Sequence, residues 1–257
     1  MRLFILTSVI LCAHASLAQK TDSIGPVVYH WNDLKPIKED TRVRRQVLEG
    51  STTSLSNFEV HASTLEPGKA PHPPHTHDDQ EELMIVKEGT VKITIGGVSK
   101  NLGAGSIAFA MPHDEHGIEN AGNTQASYYI LKYKGRQPNL DRGKQAGGSF
   151  MIDWSDLKTN NTGKGYRRDF FNRATSQTAQ FEMHTTALNA DSISHPPHTH
   201  VQEEIILILR GNVEMFIDGN YYKGSAGDIF FLPSMIRHNL KNIGKDQCEY
   251  FAFQWRN

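Results

Sequence analysis

The strongest constraint on this chain is that it repeats itself. Moved by 123 positions, Trp31-Asn32-Asp33-Leu34-Lys35 falls on Trp154-Ser155-Asp156-Leu157-Lys158, Arg44-Arg45 on Arg167-Arg168, and Phe58-Glu59-Val60-His61 on Phe181-Glu182-Met183-His184. The same shift superposes an identical hexapeptide, His72-Pro73-Pro74-His75-Thr76-His77 on His195-Pro196-Pro197-His198-Thr199-His200. One residue is then dropped, and at an offset of 122 Glu82, Gly89, Gly105, His116, Asn120 and Gly122 fall on Glu204, Gly211, Gly227, His238, Asn242 and Gly244. A unit of about 120 residues is present twice, so whatever fold is proposed must be one fold used two times.

Each copy reads as short strands. Phe58 to Leu65, Leu83 to Val86, Val91 to Ile95 and Ser106 to Met111 are rich in β-forming residues and are separated by Gly, Pro and Asn. The second copy repeats this from Phe181 to Leu232, and Glu249 to Phe253 reads as a further strand. Ile205 to Leu209 is apolar at every position, which predicts a strand covered on both faces. The segments after Trp31 and Trp154 read as single helical turns. Gly135 to Gly148, with Pro138 and several Gly, Gln, Arg and Lys residues, reads as a linker. The expected organisation is an all-β chain of two sandwiches or barrels, at residues 27–134 and 149–257, joined by 135–148.

Residues 1–18 are expected to be removed. Arg2, the largely apolar stretch from Leu3 to Leu17 and the small residues of Ser16-Leu17-Ala18 predict an export signal cleaved after Ala18, and thus a periplasmic or secreted protein. No later stretch approaches the roughly 18 apolar residues of a membrane-spanning helix. With 27 Lys+Arg against 28 Asp+Glu, the chain offers no broad attraction to nucleic acid. Loss of Cys12 with the signal leaves Cys248 alone, in a strand context that suits a packed thiol.

The 13 His and 2 Cys exclude thiolate zinc fingers and disulfide scaffolds but leave imidazole chemistry open. Ten of those His form five matched pairs: His61/His184, His72/His195, His75/His198, His77/His200 and His116/His238. In the first copy His75 and His77 alternate, which on a strand aims both rings at one face, with Glu82 and His116 following. The second copy repeats the set as His198, His200, Glu204 and His238. Three imidazoles and one carboxylate suit a divalent first-row metal, Mn, Fe, Zn, Ni or Cu, one per copy.

These residues resemble the cupin family, and their duplication resembles the bicupins. The first cupin motif, G-x5-H-x-H-x3–4-E-x6-G, is met by His75, His77, Glu82 and Gly89 and by His198, His200, Glu204 and Gly211; Gly68 stands one place early, and Asp191 stands where the second copy would carry that Gly. The second motif, G-x5-P-x-G-x2-H-x3-N, is met by Gly227, Pro233, His238 and Asn242, with Met235 in place of its Gly. The first copy offers Gly105, Pro112 one place late, His116 and Asn120. The resemblance implies two tandem jelly-roll barrels, a three-His-one-Glu metal centre in each, and association of whole chains into a homo-oligomer through their sheets. It does not imply a reaction, because cupins include dioxygenases, decarboxylases, isomerases, lyases, sugar-binding domains and storage proteins.

Acid–base chemistry beside such metals needs further groups. His61 and His184 share a strand face with Glu59 and Glu182, and these four are the candidate catalytic residues, a satisfied structural role being the alternative. His72 and His195 stand in rigid Pro-Pro turns, and Gln80 and Gln202 precede each metal Glu by two. Of Arg44-Arg45 and Arg167-Arg168, strand alternation sends one of each pair inward. His113-Asp114-Glu115 against Met235-Ile236-Arg237 is the main asymmetry, and its polar side favours the first copy for proton transfer. The expected function is a metal-dependent enzyme of oxygenase, decarboxylase or isomerase type acting on a small oxygen-rich molecule, an organic acid, sugar acid or phenolic. The alternative is a non-catalytic bicupin that binds a small ligand or carbohydrate.

Overall fold

The computed structural model describes residues 23–257. The expected export signal, with Cys12 and His14, lies outside the described residues. Two antiparallel sheets of seven strands and two of three strands make up the fold. In the first barrel the large sheet runs, in spatial order, through strands Phe150–Ile152, Ile107–Ala110, Glu81–Glu88, Ala126–Gly135, Leu55–Leu65, Arg42–Gly50 and Ile37–Lys38. The second barrel repeats it with Val27–Tyr29, Ile229–Leu232, Glu203–Arg210, Cys248–Arg256, Gln180–Leu188, Gly165–Arg173 and Asn160–Asn161. Each large sheet is backed by a small one, centred on Thr90–Ile95 and on Val213–Ile217. No helix among the described residues is long and apolar enough to cross a membrane.

Strand alternation explains the runs that are apolar at every position. In Glu81–Glu88, Met84 and Val86 pack inside the first barrel, while Leu83 and Ile85 join a core between the two barrels. The second barrel does the same, with Ile206 and Ile208 inside and Ile205 and Leu207 in the shared core. That shared core also takes Phe58, Tyr129, Leu131 and Tyr133 from one barrel and Phe181, Phe251, Phe253 and Trp255 from the other. Cys248 is a buried free thiol inside the second barrel.

The barrels also exchange edge strands. Val27–Tyr29 precedes the first barrel in sequence but pairs with Ile229–Leu232 of the second, and Phe150–Ile152 pairs with Ile107–Ala110 of the first. The boundaries at 27 and 149 thus assign each of these strands to the copy that follows it in sequence, whereas each completes the sheet of the other copy. The single-turn helices come next, at Trp31–Asp33 and Trp154–Asp156. Each Trp lies on a glycine with positive φ, Gly227 (+93°) and Gly105 (+85°), where an added Cβ would meet Trp31 at 3.0 Å or Trp154 at 2.4 Å. These two motif glycines are required both for their backbone conformation and for this approach. The stretch between the copies contains a helix, Leu140–Gln145, capped by Asn139. Arg142 anchors it by donating to the carbonyls of Thr175 and Ser176.

A reciprocal clasp closes the interface. Glu203, fully buried at the start of its strand, accepts hydrogen bonds from Thr52 Oγ1, Thr53 N, Ser54 N and Trp255 Nε1 at 2.9, 2.9, 2.9 and 3.1 Å. Its counterpart Glu81 accepts from Ser176 N and Oγ, both at 2.7 Å, in the equivalent loop of the second barrel. The Oε2 of Glu81 has no partner, and burial raises its pKa.

This imbalance predicts unequal costs. Three of the donors to Glu203 converge on Oε2 and Thr53 N takes Oε1, so an amide at position 203 must set its NH2 against at least one N–H donor, whereas an amide at 81 mimics a protonated carboxyl with an idle oxygen. Glu203→Gln should therefore destabilise the fold by about 3 kcal/mol and Glu81→Gln by about 1 kcal/mol or less. Denaturant midpoints measure the difference, and equal losses would remove the distinction between the two clasps.

Candidate metal centres

The His-x-His pair is held on an extended loop rather than within a strand. Pro73 and Pro74 lack the N–H groups that a ladder needs, so only His75 pairs, exchanging backbone hydrogen bonds with His116 at 3.0 and 2.9 Å. His198 and His238 repeat this at 3.1 and 3.0 Å. The extended conformation still puts His75 and His77 on one side, with their Nε2 atoms 3.2 Å apart. Glu82 reaches them from the second residue of the central strand, and His116 opens a strand of the small sheet.

In the first barrel one donor atom from each of His75, His77, Glu82 and His116 lies within 4.8 Å of all the others, a group that can hold a metal ion. In the second, His198, His200 and His238 converge equally closely, and Glu204 Oε2 lies 3.3 Å from His200 Nε2 and 3.0 Å from His238 Nε2. The donor orientation fits a cation. Nδ1 of His116 bonds the Asp114 carbonyl and that of His238 the Ile236 carbonyl, both at 2.9 Å. Each ring's Nε2 is left buried among its fellow donors, 3.8 Å from Glu82 Oε2 in one and 3.0 Å from Glu204 Oε2 in the other, with no hydrogen bond aligned on it. Anchoring one ring nitrogen on a carbonyl fixes the tautomer that exposes the other to a metal.

The charges agree with this. Burial, helped by the neighbouring imidazoles, lowers His75 and His198 to about 4, so both rings are neutral donors at physiological pH. Burial opposes ionisation of Glu82 and Glu204, but the surrounding imidazoles outweigh it and hold both carboxyls well below their usual range.

Each centre opens into a cavity, of about 280 Å³ in the first barrel and about 430 Å³ in the second. The candidate catalytic residues lie here in part: Glu59 and His61 line the first cavity, and His184 the second, with Glu182 bound to its wall residue Arg167. His61 Nδ1 bonds Glu59 Oε1 at 3.0 Å, and Glu59 also receives Arg44 at 2.6 Å and Lys132 at 2.8 Å. The His61 hydrogen bond, with help from Lys132, lowers Glu59 to about 2. His184 and Arg167 lower Glu182 likewise to about 2, with Arg167 at 2.7 Å and His184 at 3.3 Å. Carboxylates this acidic are weak proton acceptors at neutral pH.

Other expectations sort clearly. Arg44 and Arg167 point into the cavities, while Arg45 and Arg168 lie over Trp31 and Trp154 at 5.0 and 4.4 Å. His72 and His195 line the cavities edge-on to ligands His75 and His198, at ring separations of 4.4 and 3.9 Å. Asp114 accepts a hydrogen bond from Ser149 Oγ, tying it to the inter-copy segment, and His113 stands 4.0 Å from Asp78. The motif departures fall at turns: Asp191 and Met235 take positive φ where glycine is expected, and so does His113. The amide that reaches a metal carboxylate is Gln254, at 3.1 Å from Glu204.

Reading the sequence missed Gln254, its counterpart Lys132, and Tyr128, Tyr250 and Lys164 on the walls. Alternation within the last strand of each copy was the available signal: Tyr128, Ile130 and Lys132 face inward, as do Tyr250, Ala252 and Gln254.

Comparison with known proteins agrees with the geometry. No curated protein sequence matches the chain. Among solved structures, AerE from Microcystis aeruginosa is 18% identical, covering 90% of this chain and 99% of its own with a TM-score of 0.67. Protein YlbA from E. coli is 18% identical over 93% of this chain and 95% of its own, with a TM-score of 0.69. Bacillus subtilis oxalate decarboxylase, in a structure described for its Mn(II) centres, is 14% identical over 91% and 78%, with a TM-score of 0.69. At these identities the likeness is one of fold. The Cupin domain family matches residues 62–132 and 185–253, each match taking in a complete His-x-His, Glu and His set. With two such domains in tandem, the chain belongs to the cupin family as a bicupin.

Proposed function

We propose that the protein is a metal-dependent enzyme acting on a small oxygen-rich molecule, an organic acid, sugar acid or phenolic, bound at a three-His-one-Glu centre. The observation that carries this is the pairing of a preorganised donor set with an open cavity that also holds two histidines outside that set, once in each barrel. His75, His77, Glu82 and His116 would hold one ion, and His198, His200, Glu204 and His238 the other. An ion held by four side chains keeps about two octahedral positions open, and would supply Lewis-acid polarisation to an oxygen ligand there. Mn(II) is the first ion to test, because the oxalate decarboxylase of similar fold is described with Mn(II) centres.

The protein's own residues supply the rest. Glu59 is saturated by Arg44, Lys132 and His61, so it orients His61 and leaves proton transfer to that ring. In the second barrel Glu182, held by Arg167 and Asn172, stands 3.3 Å from His184 Nδ1 with no hydrogen bond aligned on that nitrogen, so His184 is less firmly oriented than His61. Arg44 and Arg167 present guanidinium groups to a carboxylate or hydroxyl entering the cavity.

The first test is metal content: Glu82→Ala and Glu204→Ala should each lose about one bound ion per chain, and unchanged content in both would end the metal reading. The second is turnover across organic acids, uronates and phenolics. Replacing His61 and His184 together by Asn should lower it about a hundredfold with metal retained. Tight binding of one of these compounds without turnover would instead establish the non-catalytic ligand-binding reading. We further propose export with cleavage after Ala18; N-terminal sequencing of the mature protein should begin at Gln19, and an intact Met1 would rule it out.

A further inference from the structure

The two centres share one donor set, yet the cavities above them differ, and the difference concentrates on one strand face. Ile130 and Lys132 face into the first cavity from strand Ala126–Gly135; at the equivalent positions of Cys248–Arg256, Ala252 and Gln254 face into the second. The registers match: Ile130 lies opposite His61 and Ala252 opposite His184, while Lys132 and Gln254 lie opposite the metal carboxylates Glu82 and Glu204. Opposite Leu65 on the neighbouring strand the first barrel carries Arg42, and opposite Leu188 the second carries Gly165.

Size and charge change together. Exchanging isoleucine for alanine removes three carbons from the wall, in line with cavities of about 280 and 430 Å³. In the first barrel two cations, Arg44 and Lys132, converge on the single carboxylate Glu59, leaving one positive charge in excess. In the second, Arg167 is held between two carboxylates, Asp169 at 2.5 Å and Glu182 at 2.7 Å, and Lys164 on the cavity wall bonds only backbone carbonyls, so these four charges balance and no positive excess is left. Gln254 brings no charge and donates to Glu204.

Building on the metal-centre reading above, we infer that positions 130/252 and 132/254 sort ligands between the barrels. The first barrel takes compact anions, and the second takes ring-sized, uncharged polyhydroxyl compounds. A dianion beside Lys132 gains Coulombic attraction that the neutral Gln254 and the balanced charges of the second cavity do not offer. A ring that fits beside Ala252 meets the Ile130 side chain in the first barrel, where overpacking opposes it.

Malonate and myo-inositol serve as the compact dianion and the neutral ring. Glu204→Gln isolates the first centre and Glu82→Gln the second; each is loaded with Mn(II), its metal content measured, and probe binding followed by paramagnetic relaxation of the probe protons. The first-barrel form should prefer malonate by about tenfold and the second-barrel form should prefer inositol by about tenfold. The exchanges I130A/K132Q and A252I/Q254K, made in the respective single-centre forms, should reverse each preference. The inference is overturned if both forms rank the probes alike, if neither probe binds a metal-loaded centre, or if well-folded exchange variants keep the parental order. Absence of bound Mn(II) from both forms is a different failure, since it removes the metal-centre reading itself.

Discussion

The structure depends on two adjacent carboxylates at the start of a β-strand. Successive residues of a strand face opposite ways, so Glu81 and Glu82, like Glu203 and Glu204, point in opposite directions from one backbone. The second carboxylate of each pair enters its own barrel and meets the imidazoles; the first leaves it and takes hydrogen bonds from the other barrel. A register slip of one residue would exchange the two, placing a metal ligand in the inter-barrel core and an interface anchor in the cavity. The inter-barrel contact and the centre are therefore joined through one strand, and each metal carboxylate is positioned by a strand that the opposite barrel grips.

The shared core extends this coupling beyond the clasp. Since Leu83, Ile85, Ile205 and Leu207 are buried in a core built from both barrels, the outer face of each large sheet is covered jointly. The exchanged strands Val27–Tyr29 and Phe150–Ile152 close the outer edges of the two sheets in the same reciprocal way. Each exchanged strand is itself the outermost of its sheet and only 3 residues long, so the edge left open to pairing with another chain is short.

How much of this was legible in the sequence follows from what a repeat can reveal. Comparing the chain with itself exposes residues kept the same, so the eight candidate ligands, the paired Trp turns and the short strands were all readable. It says nothing of contacts made between copies. Thr52 and Ser176 carry no mark of the glutamates they reach, and nothing local tells Val27 to join the second barrel. The helix at Leu140–Gln145 was hidden for a related reason: a Gly-rich stretch reads as linker until Arg142 and buried Gly143 are seen packed on the opposite loop. Proline explains the remaining difference, since the His-x-His alternation suggests a strand where Pro73-Pro74 permits only one bridging residue.

The two faces of the last strand show where divergence is tolerated. Its outward residues, Tyr129, Leu131 and Tyr133 in one copy and Phe251, Phe253 and Trp255 in the other, remain large and apolar or aromatic, because they pack in a single core where a change of volume is felt on both sides. Of its inward residues Tyr128 and Tyr250 are alike, but Ile130 and Lys132 change class to Ala252 and Gln254, each facing a cavity that belongs to one barrel alone. Duplication of this kind fixes the outward face by mutual packing and fixes the metal donors by their shared geometry. Wall positions such as 130/252 and 132/254, bound by neither constraint, are where two otherwise equivalent centres can become different.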